Sequence, residues 1–125
     1  MSDGLLIVTE ALTFGGVETH LDGEVRCLSE QGVAVHLAAG EAFRSESVPA
    51  GAASSVHGLR FLPDPTIADV LETISALRKL IQDKSPRAVH VHGFVSVLPA
   101  LIAAELEGLP GVVTLHGPGA FASVY

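Results

Sequence analysis

Two glycines and two histidines are the residues of this chain best suited to chemistry. Gly15-Gly16 closes a loop after a short apolar run, and His92 and His116 each end an apolar run and are each followed by glycine, Gly93 and Gly117. Adjacent glycines let a backbone approach an anion closely, and a helix starting there adds unpaired N–H groups and the positive end of its dipole. An imidazole at a strand end, with no bulk beside it, can donate to a sugar hydroxyl or a phosphate oxygen, or polarise a leaving group. A tight turn and a hydrogen-bonded structural histidine would leave the same trace. Gly15-Gly16 is not the three-glycine dinucleotide fingerprint, and no lysine follows it as in a P-loop.

The remaining titratable residues are less pointed. His90 and His92 share one face of a strand because side chains alternate, which makes zinc an option with His116 as a third ligand. No Cys, Asp or Glu stands at ligand spacing beside them, so no metal is expected, and His90 reads as a core or helix-facing residue. His20 lies one turn into a helix, toward the cleft or along the surface. Glu10 and Glu18 flank the glycine loop; an acid in the first turn of a helix is expected from the dipole alone. His36 and His57 fall on elements away from the glycine loop, and Asp69, Glu72, Arg78 and Lys79 read as a solvated helix face.

These residues need elements to hold them. Leu5–Thr9 is a short apolar strand, and Val17, Leu21, Val25 and Leu28 form the stripe of a helix over Gly16–Gln31, stopped by Gly32. Val33–Ala38 is a second strand and Val56–Leu62 a third, separated by a patternless loop from Glu41 to Ser55. Asp64-Pro65 opens a helix whose stripe is Ile67, Val70, Leu71, Ile74, Leu77 and Ile81, ended by Ser85-Pro86. Ala88–His92 is the fourth strand, Ser96–Gly108 spans a third helix, and Val112–Leu115 is the fifth strand. Strands alternating with helices predict an α/β fold with a right-handed parallel sheet in the order 3-2-1-4-5 and helices on both faces. Ligands of such sheets bind beyond the strand C-termini where the order reverses, between strands one and four. The loops Glu10–Gly16, His92–Ser96 and His116–Gly119 all arrive there.

The bulk numbers agree. At 125 residues the chain is one domain, and 48% apolar against 17% charged residues suits a buried aliphatic sheet. A net charge of −7 argues against nucleic acid or an anionic membrane as the main partner. One cysteine, Cys27, leaves no intrachain disulfide, so a cytoplasmic setting is the default and a packed thiol is expected. No segment reads as transmembrane; peripheral membrane contact is left open.

Three stretches together, Glu10-Ala11-Leu12-Thr13-Phe14-Gly15-Gly16-Val17-Glu18-Thr19-His20, then Val89-His90-Val91-His92-Gly93, then Val112-Val113-Thr114-Leu115-His116-Gly117, resemble the N-terminal domain of family 4 glycosyltransferases. The resemblance covers nearly the whole chain, with the motifs in order and at the right spacing. It implies one half of a GT-B fold: a Rossmann-like, acceptor-side domain of a retaining enzyme that moves a sugar from a nucleotide-sugar donor to an acceptor. It implies that Gly15, Gly16 and Gly117 approach the donor phosphates and sugar, and that His116 reaches the reacting centre. Glu10, His20, His92 and Gly93 would line the acceptor cleft. Such transfer generally uses no bound metal, and the nucleotide-sugar is a co-substrate rather than a cofactor.

Two departures qualify that expectation. Arg87 stands where an acidic residue is expected before the fourth strand, and the sequence stops at Tyr125, a few residues past the fifth. The family's donor nucleotide is gripped mainly by a second, C-terminal domain. Residues 1–125 are therefore expected to be an incomplete N-terminal domain with little or no activity until a donor-binding domain or partner chain is supplied. The rival readings are a nicotinamide-binding domain, which lacks its glycine fingerprint here, and a non-catalytic binding or assembly module.

Overall fold

The strands form where aliphatic residues run together over about five positions, too short for a helix and bounded by turn residues. The computed structural model describes residues 4–9, 16–40, 54–61, 64–93 and 95–114, with 16–22 described as backbone. Along the chain these are β1 (Leu5–Thr9), α1 (Gly16–Glu30), β2 (Val35–Gly40), β3 (Ser55–Leu59), α2 (Ile67–Lys84), β4 (Ala88–His92), α3 (Val97–Leu106) and β5 (Gly111–Thr114). All strand pairs are parallel, in the order β3-β2-β1-β4-β5. The expected order and its reversal between β1 and β4 are thus the ones found.

Alternation along the strands builds two cores. Leu6, Val8, Ala38, Val89 and Val91 turn to one face and pack with Leu77 and Ile81 of α2 and Ala100, Ala103 and Ala104 of α3. Ile7, Val35, Leu37 and Ala39 turn to the other, under Val25 and Leu28 of α1. Burial of this aliphatic surface, at about 25 cal/mol per Å², is the main force holding the three layers together.

Several local expectations need correction. The N-cap of α2 is Thr66, not Asp64. Thr66 Oγ1 accepts from the Asp69 N–H at 3.1 Å while Asp69 Oδ2 accepts from the Thr66 N–H at 2.9 Å, a reciprocal box that Asp64 is placed too early to make. The stripe of α2 is buried only from Thr73 onward; Ile67 is 81% and Leu71 60% exposed. Cys27 is exposed rather than packed, because it falls off the stripe defined by Val25 and Leu28. β2 lies two residues later than expected, and β3 starts one residue earlier and ends three residues earlier than expected. Gly32 does terminate α1, at φ +78°, a left-handed conformation that favours glycine.

Candidate functional site

The parallel register fixes which residues meet at the C-terminal edge. Thr9 pairs with His92, and His92 with Thr114, so the last residues of β1, β4 and β5 stand in one row beside the reversal. Gly93 follows at φ +133°, a backbone angle that side-chain-bearing residues rarely adopt, and this turns the chain sharply out of β4. Ser96, the buried N-cap residue of α3, donates from Oγ to the His92 carbonyl at 3.2 Å and ties the turn back to the strand.

Beneath this row, on the α1 face, lies a cluster of titratable groups. His90 and His92 occupy alternate positions of β4, and their rings stack at 4.2 Å between centroids with a 37° tilt. Glu24 reaches them from α1: its Oε1 accepts from His90 Nδ1 at 2.7 Å, and its Oε2 stands 3.1 Å from His92 Nε2. On the far side of its ring, His90 Nε2 lies 2.7 Å from Thr114 Oγ1. His92 is fully buried, while Glu24 and His90 are about one-sixth exposed. Burial alone would push the Glu24 carboxyl up. The hydrogen bond from His90, the approach of His92 and the charge of both imidazoles more than offset it and hold the group at about 2, down from 4.5.

Two sequence expectations change here. An acidic residue does stand within ligand distance of the histidine pair, since Glu24 touches His90 although the two lie 66 positions apart. The imidazole of His92 is fully buried and turned to Glu24, so it is not an exposed, cleft-lining side chain. His90 is helix-facing, as read from the sequence. No motif includes Glu24; its spacing of three from Leu21 and four from Leu28 puts it inside the apolar stripe of α1, and an acid there is the signal that points to a buried partner.

Other expected site residues are placed in part or lie outside the described residues. Gly16 is the first residue of α1, so the glycine pair does lead into a helix N-terminus. Glu10, Gly15, His116 and Gly117 lie outside the described residues, as does the side chain of His20. His36 and His57 sit on β2 and β3, the two strands farthest from β5.

Comparisons with known proteins agree with this architecture. The chain is similar to MurG of Acinetobacter baumannii (TM-score 0.69, 16% identity, 90% of this chain and 35% of that one). It is likewise similar to UDP-GlcNAc 2-epimerase of Neisseria meningitidis, solved bound to UDP-GlcNAc (TM-score 0.59, 16% identity, 88% of this chain and 31% of that one). A third neighbour is the C-terminal domain of a hydrogenase from Pyrococcus furiosus (TM-score 0.58, 16% identity, 92% of this chain and 93% of that domain). At these identities the likeness is one of fold, and the chain spans about a third of the length of the first and the epimerase. No curated protein matches the sequence. The family description "Glycosyltransferase Family 4" matches residues 14–125, nearly the whole chain. With its parallel Rossmann-like sheet and helices on both faces, the chain belongs to glycosyltransferase family 4.

Proposed function

We propose that this chain is the acceptor-side domain of a retaining glycosyltransferase that moves a sugar from a nucleotide-sugar to an acceptor in the cytoplasm. The observation that carries the reading is the row Thr9–His92–Thr114: the segments leaving β1, β4 and β5 all depart from one edge at the sheet reversal. Gly15 and Gly16 precede or begin α1, whose N-terminal N–H groups favour a donor phosphate. His116, two residues beyond Thr114, supplies the imidazole for the donor sugar, with Gly117 leaving room beside it. Glu10, His20 and the backbone at Gly93 border the acceptor, and the buried His92 supports that wall from behind. The transfer step itself uses no metal. A donor-binding Rossmann-like domain, on the same polypeptide or on a partner chain, completes the site.

The test is to combine the chain with a family 4 donor-binding domain and screen nucleotide-sugars for transfer or hydrolysis. Turnover is expected in the combination and not in either part alone. His116→Ala in that assembly is expected to lower turnover by about two to three orders of magnitude with the fold intact. Gly16→Val is expected to weaken donor binding by steric exclusion. An associated, folded assembly that transfers no sugar from any donor would overturn the reading. The second reading is a binding or assembly module without catalysis, which the burial of the His92 ring favours. Association with a partner chain in the absence of turnover would identify it.

A further inference from the structure

We infer that Glu24, His90 and His92 form a binding site for one divalent transition-metal ion, with zinc the best chemical match, which clamps α1 to β4 beneath the crevice. The inference does not rest on sugar transfer, and the ion has no part in the proposed transfer step.

The donor set comes first. One carboxylate oxygen and one imidazole nitrogen from each histidine lie within 4.8 Å of one another, and the nitrogens that approach Glu24 are His90 Nδ1 and His92 Nε2. Two histidines and a glutamate make a known three-ligand zinc set, with water in the fourth position. Imidazole donors favour zinc and its neighbours in the first transition row over magnesium or calcium, which prefer all-oxygen sites.

Geometry comes second. Ligands around a tetrahedral zinc sit roughly 3.3 Å apart, given metal–ligand bonds of about 2.0–2.1 Å. Glu24 Oε1 stands 2.7 Å from His90 Nδ1, and its other oxygen, Oε2, stands 3.1 Å from His92 Nε2. An ion therefore enters by displacing the protons these atoms share, while the glutamate side chain swings back by a few tenths of an ångström. Both histidines are held at alternate positions of a paired strand, which presents their rings on one face.

The third observation is the partner behind the ligand. A histidine that binds a metal through Nδ1 must carry its proton on Nε2, and metal-bound histidines usually donate that proton to a neighbour. Thr114 Oγ1 is 2.7 Å from His90 Nε2 and can accept it. The site is also closed: His92 is fully buried, and the other two ligands are only slightly exposed.

The experiment titrates the metal-free 125-residue chain with zinc by calorimetry and with cobalt by visible absorption, and follows the imidazole nitrogens by ¹⁵N nuclear magnetic resonance. Saturable one-to-one binding is expected, with a tetrahedral cobalt spectrum free of thiolate charge transfer and with shifts at His90 Nδ1 and His92 Nε2. Glu24→Gln is expected to weaken zinc by about tenfold or more, and Thr114→Val by about 10- to 100-fold, while His36→Asn changes nothing. No saturable binding, a thiolate band pointing to Cys27, or shifts confined to His36 and His57 would each overturn the inference. The resonance measurement uses the unaltered chain and decides the matter even if a variant fails to fold. None of these readouts requires transferase activity, so this inference and the proposed function fail separately.

Discussion

Two pairs of histidines lie on opposite faces of the same sheet and have different chemistry. On the α1 face, His90 and His92 converge on a carboxylate, Glu24. On the other face, His36 and His57 converge on a hydroxyl: Ser55 Oγ lies 2.7 Å from His36 Nδ1 and 2.9 Å from His57 Nε2. A serine has one proton to give and two lone pairs, so Ser55 donates to at most one of the two imidazoles and accepts from the other or from both. Burial lowers the pKa of both His36 and His57, and the nearby Lys84 ammonium at the end of α2 lowers it further. The first pair faces a carboxylate; the second shares a neutral hydroxyl at a place where burial disfavours imidazolium. The contrast teaches that a histidine on a strand takes its character from whatever the facing helix or neighbouring strand presents, and not from its own local sequence.

Removing the carboxylate should break the comparison most strongly. Glu24→Leu leaves two enclosed imidazoles with their partner gone and is expected to lower unfolding stability by about 3 kcal/mol at neutral pH, read by urea denaturation. A loss well under 1 kcal/mol would show that the cluster does not hold α1 to β4. The next effect is a difference in pH dependence. Glu24 is depressed from 4.5 to about 2, so its folded state binds fewer protons than the unfolded chain between those values. Its contribution, about 2 kcal/mol once solvent screening is allowed for, is present above pH 4.5 and lost as pH falls toward 2. For His36 and His57 the lowered pKa means that stability is full above 6.5 and declines as pH falls below it. A stability profile should therefore show two arms, with Glu24→Gln reducing the acidic one and His36→Asn reducing the one starting near 6.5. A single arm, or both arms abolished by one substitution, would mean that the two pairs are not independent. The smallest effect is Ser55→Ala, which is expected to cost about 1 kcal/mol because the hydroxyl is shared and partly solvated. Equal losses from Ser55→Ala and Glu24→Leu would erase the distinction between the two faces.

The fold was readable because its signals are local. β1 starts and stops where its apolar run does, Gly32 marks the end of α1, and strand–helix alternation allows few topologies other than the one found. The cluster was only half readable. Alternation placed His90 and His92 on one face, but nothing near them in sequence names Glu24, because parallel strands bring together residues separated by a whole crossover. The acid inside the stripe of α1 was the available hint. Exposure at Ile67 and Leu71 was hidden for a related reason: periodicity gives the direction of an apolar stripe but not how far along it the neighbouring layers extend. The choice of Thr66 over Asp64 as cap turned on which residue has an acid three positions later.

The alternation that places His90 and His92 has a consequence for how the sheet assembles. Sliding β4 by one residue against β1 would turn Val89 and Val91 toward Glu24 and drive both imidazoles into the aliphatic layer under α2 and α3. Misalignment would then strand a carboxylate against hydrocarbon on one side and two polar rings on the other. Glu24 thus acts as a checkpoint for strand alignment, admitting the native pairing and penalising its nearest competitor before any substrate is bound.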